Sequence, residues 1–231
     1  MDKYRAKEAI LRGFDGYQQI VEKNIHYVFG ENANYQEIVI CAKKSNFMHL
    51  CGVKYFSAED RKTVNGIHFY SLLEGRNLSA SDIIQKRDGS TDQKLQVIDA
   101  LGKLTNCENL RIINQRTAFL NFSFAAGIRS RKRIFCVALE KYNGVYTPVS
   151  LLNMKRELNQ IAKGLPVHCI YEMDDKHDLH VMDRTDEFLQ DTSKNPYVYD
   201  LKTESERATY PLPERSKGRG HTHYHDRGSE R

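Results

Sequence analysis

The stretch QEIVICAKKSNFMHLCGVKYF, residues 36–56, decides how the first half of the chain is read. Its opening, Ile38 to Cys41, is apolar and β-branched, which predicts a strand. Lys43, Lys44 and Ser45 interrupt it, and apolar residues resume at Phe47, Met48, Leu50 and Val53. The expectation is one strand that bends and continues, with His49 at its end and Gly52 three residues on. An imidazole titrates near neutrality, so His49 is a candidate general acid or base. The plainer alternative is a core histidine bonded to a backbone carbonyl. Gly52 permits a sharp turn or a close approach of a ligand. Lys54 supplies a cation just past that turn.

Upstream, Ala9, Ile10, Phe14, Tyr17, Ile20 and Val21 recur at helical spacing and predict an amphipathic helix over 3–21. NIHYVFG (24–30) alternates like a strand and ENANY (31–35) is a turn, so a hairpin packed on the first helix is expected. Downstream, Ser57 followed by Glu59 and Asp60 signals a helix start, with Phe69, Leu72 and Leu73 on its apolar face. SASDIIQK (79–86) predicts a short helix. STDQKLQVIDALGKLTN (90–106) predicts another, with Leu95, Ile98, Leu101 and Leu104 on one stripe.

From NLRIINQ (109–115) onward the pattern returns to strands, rich in aromatic and β-branched residues through Leu152. Asn143-Gly144 marks a hairpin turn. A helix over 153–164 closed by Gly164, and a last hairpin around DDKHD (174–178), complete the domain. Strands joined by hairpins rather than βαβ crossovers predict an α+β fold. Its architecture would be an antiparallel sheet with flanking helices, the first helix lying on one face. Residues 1–189 read as one domain. Residues 190–231 replace apolar periodicity with Pro, Ser, Thr and charge, so a disordered tail is expected.

The totals set bounds. The 231 residues are 40% apolar and 28% charged with a formal charge of +5, suited to a soluble globular protein that tolerates an anionic polymer. The five cysteines form no CxxC pair, which argues against a zinc ribbon and for reduced thiols in a cytosolic setting. The first residues lack the apolar core of a signal peptide, and no apolar run reaches membrane-spanning length. Walker A, GxGxxG, GxSxG and HExxH motifs are absent, so P-loop, dinucleotide, α/β-hydrolase and zincin chemistry are unsupported.

Three further clusters carry candidate roles. Ser150, at the end of a strand, is a helix N-cap, and the free N–H groups of such a helix start can bind phosphate. The run Arg129, Ser130, Arg131, Lys132, Arg133 is a solvated basic loop or a contact to nucleic-acid backbone. HTHYH in the tail and HDLH (177–180) lack the acidic or thiolate spacing of a metal site, so no metal and no cofactor is expected.

The segment Phe47 to Val53 resembles the F-x-HLTG-[VI] segment of the PBECR4 family, phage-associated nucleases related to barnase, EndoU, colicin E5/D and RelE. FCVALEKYNGVYTPVSLLN (135–153) is similar to that family's late strand, which ends in Y-x-P-x-S-L. Cys51 stands where the family often has threonine. The resemblance implies a BECR-like ribonuclease fold and a metal-independent endoribonuclease. The expected partners are RNA and a protein partner or inhibitor, with no membrane, and the expected compartment is the cytoplasm. The resemblance makes His49 the acid or base and Ser150 a phosphate ligand. Lys54 is assigned to charge stabilisation by its position alone. The alternative class is a nucleic-acid- or protein-binding module, a phage regulator or inhibitor, that keeps the fold without cleavage.

Overall fold

The computed structural model describes residues 1–32, 34–57, 61–120, 122–132, 134–155, 161–190 and 201. Helix α1 (Lys3–Tyr17) is capped by Asp2, whose carboxylate accepts from Arg5 N at 2.9 Å. Ala6, Ala9, Ile10, Gly13, Phe14 and Tyr17 form its buried face. The strands β1 (Asn24–Glu31) and β2 (Asn34–Cys41) pair as the expected hairpin. Then come helix α2 (Asn46–Cys51), the short strands β3 (Val53–Ser57) and β4 (Lys62–Thr63), helix α3 (Gly66–Glu74) and β5 (Ile83–Gln85). Helix α4 (Ser90–Leu95) is followed by a 3-10 turn, Ile98–Lys103.

The second half is strand after strand. It comprises β6 (Leu110–Ile113), β7 (Thr117–Phe119), β8 (Phe122–Phe124), β9 (Ala126–Ser130), β10 (Phe135–Tyr142), β11 (Val145–Asn153), β12 (Leu165–Met173) and β13 (Leu179–Arg184). A short helix α5 (Asp186–Gln190) follows.

The expected α+β sheet with flanking helices is not what forms. The large sheet runs β1-β2-β11-β10-β9-β6-β12, and β12 returns to pair with β1 from Asn24↔Met173 to Phe29↔Val167. These seven strands therefore close into a barrel, with β13 attached outside on β12. The barrel is mixed, because β11 meets β2 in parallel at Tyr146↔Ile40. Hairpin spacing cannot reveal either closure, since both join strands far apart in sequence. Closure also satisfies the backbone groups that an open sheet would leave at its edges.

Inward residues of all seven strands, among them Tyr27, Ile40, Ile112, Ile128, Val137, Leu151 and Ile170, join one apolar cluster with α1, α2 and α3. Gly16 of α1 lies against Gly102, and a Cβ there would meet Gly102 N at 2.4 Å. The helix and the 3-10 turn can come that close only with glycine at this point.

Several local expectations also change. Residues 83–85 form β5 rather than a helix. Asn65, not Ser57, caps α3, its side chain accepting from His68 N. The expected helix over 90–106 breaks after Leu95 into the 3-10 turn. Of the helix expected over 153–164, residues 156–160 lie outside the described residues, while Asn153 ends β11 and residues 161–164 are not helical. The tail from residue 191 also lies outside the described residues, apart from Leu201, which is buried against Val28, Tyr35 and Phe188.

Candidate active site

The 46–51 segment is a helix, not the end of a bent strand. Asn46 Oδ1 accepts from Lys43 N, and Gly52, at φ +69°, ends the helix by donating its N–H to Met48 O and His49 O, both at 3.1 Å. A helical turn sends Phe47, Met48, Leu50 and Cys51 into the core and leaves His49 outside. His49 thus lies among apolar neighbours in sequence because it occupies the outward position of a short amphipathic helix. At that helix's C-terminal end the carbonyl dipoles favour a cation.

Helix α4 completes this corner. Lys94 Nζ donates to His49 O at 2.8 Å, and Thr91 Oγ1 donates to Gly52 O at 2.5 Å. A Cβ on Gly52 would come within 2.7 Å of Lys94 Cδ, so the glycine leaves room for the lysine stem. Burial, with the Lys86 ammonium nearby, pushes the Lys94 amine down to about 8. The Cys51 thiol is fully buried and pushed well up by that burial, which keeps it protonated and unreactive. Lys54 is exposed on β3, opposite Ile84 of β5. It points outward because Val53 and Tyr55 take the inward positions.

Ser150 lies within β11 rather than before a helix, opposite Ala138 of β10. It is 9% exposed. Both α2 and α4 pack on β11, so the elements carrying His49 and Ser150 touch. Yet Ala138 belongs to a satellite cluster with Phe124, Cys136 and Met154, whereas Phe47 and Leu50 belong to the main core. Directly opposed residues share a sheet face. Ser150 therefore lies on the face of the satellite cluster.

The basic run is divided. Arg129 is 1% exposed, and its guanidinium donates to Lys163 O and Ser130 O. Burial there leaves it no face for a phosphate. Arg131 and Lys132 are exposed at the following turn, and Arg133 lies outside the described residues. HDLH sits at the β12–β13 turn and in β13, while HTHYH lies outside the described residues. Among the described residues no group of three His, Cys, Asp or Glu side chains is placed to hold a metal ion.

Sequence reading missed Lys94, which looks like any polar residue of a helix. It also missed His26, whose Nδ1 lies 3.0 Å from Glu37 Oε1 and whose ring stacks on Tyr171 at 4.5 Å. The Tyr171 hydroxyl donates to the same carboxylate oxygen. Three strands, β1, β2 and β12, supply that trio, and no spacing in the sequence announces it.

An imidazole in solvent, with one lysine on its own carbonyl and another just past its helix, is a residue set suited to proton transfer at a phosphate. The chain belongs to the family described as phage-Barnase-EndoU-ColicinE5/D-RelE like nuclease4, PBECR4, whose family model matches residues 9–196. Membership in that nuclease family makes nucleic acid the substrate class. No curated protein and no solved structure matches the chain. No helix among the described residues is long and apolar enough to cross a membrane.

Proposed function

We propose that this chain is a metal-independent endoribonuclease that cleaves RNA by transesterification. The 2′-hydroxyl attacks the adjacent phosphorus, a base takes its proton, the P–O5′ bond breaks, and an acid protonates the departing oxygen. A 2′,3′-cyclic phosphate and a 5′-hydroxyl result. His49 is the acid or base, and Lys54 stabilises the charge that builds on the phosphate. Arg131 and Lys132 contact the RNA backbone.

One observation carries this reading: His49 is the outward, solvent-reaching side chain of a helix whose neighbouring residues are all buried. A proton-transfer group must meet its substrate, and a core histidine cannot. The test is cleavage of mixed cellular RNA in EDTA by wild type and His49→Ala. Activity in EDTA that falls by about 10²–10⁴-fold in the variant supports the assignment. Equal cleavage by both proteins refutes His49, and activity abolished by EDTA refutes metal independence.

The burial of Ser150 on the satellite-cluster face favours one other reading, a binding module that keeps the fold without cleavage. RNA retention without any cleavage by wild type would select it.

A further inference from the structure

A cleft of about 560 Å³ opens between a second 3-10 turn (Cys107–Asn109), β6, β12 and α5. Its charged lining is Glu108, Arg111, Arg131 and Glu187, with His168 and Thr185 beside them. A second cleft, of about 320 Å³, is lined by Asp99, Lys103, Arg131, Lys132 and the apolar Ile134 among others. Both volumes fall within the roughly 300–1,000 Å³ usual for ligand sites. Asn109 and Arg131 line both clefts, and Arg131 N donates to Asn109 O at 2.7 Å. That pair is the saddle between them.

The groups already engaged narrow the choice of ligand. Arg111 donates through Nε to Lys163 O and Gly164 O and reaches Glu31 at 3.4 Å. Burial holds its guanidinium below the usual range; Glu31 opposes that shift and the like charge of Arg131 adds to it. Two guanidiniums that repel across one cleft favour an anion between them. His168 Nε2 faces Gly30 O and its Nδ1 faces Thr185 Oγ1, so this imidazole is committed to the fold. Glu108 and Glu187 are exposed carboxylates, and Glu187 Oε2 lies 3.8 Å from His168 Nδ1. They would repel a bare phosphate, but they accept well from the N–H edge of a nucleobase. Arginine and carboxylate together match a nucleotide, which carries both an anionic phosphate and N–H donors.

Gln96, the residue that follows α4, is part of the smaller cleft's lining, and Asn153 Nδ2 donates to its Oε1 at 3.1 Å. The same α4 holds Lys94 on the His49 carbonyl.

We propose that the two clefts form a binding track for single-stranded RNA: Arg131 holds a backbone phosphate at the saddle, and Glu108 and Glu187 read a base edge in the larger cleft. The track deepens the nuclease reading and rests on it for the identity of the polymer. The probe is a 2′-O-methyl RNA oligomer, which lacks the attacking hydroxyl and survives incubation. Its binding to the full chain is followed by fluorescence anisotropy against salt. Arg131→Gln should weaken binding and lower the log–log salt slope by about 0.7, one single-strand phosphate contact. Replacing Glu108 and Glu187 together by Ala should bring the affinities for four homopolymers towards one value. On unmodified RNA, Arg131→Gln should raise KM, whereas His49→Ala should lower kcat and leave oligomer affinity in place.

An unchanged slope and KM for Arg131→Gln overturn the track, even where His49-dependent cleavage stands. Tighter binding of every homopolymer by the double Glu variant overturns the base-reading role. If wild type binds the oligomer with the expected slope but cleaves nothing, the nuclease reading falls and the track remains.

Discussion

His168 has both ring nitrogens engaged on the outer wall of the barrel, beneath α5. Nε2 lies 3.1 Å from Gly30 O and Nδ1 lies 3.3 Å from Thr185 Oγ1, while Tyr35 packs on its ring edge at 5.3 Å. A carbonyl can only accept, so Nε2 carries a proton. His49 stands in solvent at the tip of α2, held by its backbone rather than by its ring. The first histidine ties β12 to β1, and the second has an imidazole that a substrate can reach. An imidazole becomes useful for proton transfer when the fold anchors it without using its nitrogens.

The sharpest way to break this contrast is to remove each ring in turn. His49→Ala should cut RNA cleavage by about 10²–10⁴-fold with thermal unfolding unchanged, because only an exposed ring is lost. His168→Ala should lower stability by about 1–3 kcal/mol, since Gly30 O loses its donor in a buried setting. Activity per folded molecule should persist in that variant. Loss of cleavage by a fully folded His168→Ala protein would reverse the two roles.

The surroundings of His168 offer a second, smaller test. Leu201 is 4% exposed and Arg184 Nη1 donates to its carbonyl at 2.9 Å, beside the Phe188 cluster. Ending the chain after Leu201 should leave the melting temperature within a few degrees, because residues 202–231 carry no apolar periodicity. Leu201→Ala should cost about 2–3 kcal/mol, the lower part of the range for buried leucines. A large loss from the first truncation would show that the polar tail packs.

At the His49 corner, Gly52→Ala places a side chain at φ +69° and against the Lys94 stem. Denaturant unfolding should report a loss of about 1–2 kcal/mol from the left-handed backbone alone. Cleavage should fall more than stability does if Lys94 helps to place α2.

A further test concerns pH. Lys94 titrates near 8 in the fold, whereas an unfolded lysine titrates near 10.4. Between those values the unfolded chain binds more protons, so this group makes stability rise with pH. Below about 8 both forms are charged and the contribution is flat. Above about 10 the buried phenols of Tyr17 and Tyr27, pushed up by burial, act with the opposite sign. Lys94→Met should flatten the rise from 8 to 10 in unfolding measured across that range. A rise of the same size in the variant would assign it elsewhere.

The features legible in the sequence were the local ones. Helix α1, the β1–β2 hairpin, the Asn143-Gly144 turn and the β12–β13 hairpin each rest on neighbours in the chain. Barrel closure rests on Asn24 meeting Met173 and on Tyr146 meeting Ile40, pairings that no local pattern encodes. His49 drew notice through its apolar neighbours, but a six-residue helix and a strand end share such a composition. The expectation of a continuing strand fails because Gly52 terminates a helix. Arg129 looked like its basic neighbours until its place in β9 put it inside. Lys94 gained its meaning only when α4 met α2.

The parallel seam between β2 and β11 also sets an order in time. Domains take shape as the ribosome delivers them, N-terminal parts first. Helix α2 is made early, but the wall on which it packs, Val145–Asn153, leaves the ribosome far later. The corner that carries His49 therefore cannot be finished while the chain is half made. A cell producing this chain holds an unassembled corner during most of each round of synthesis.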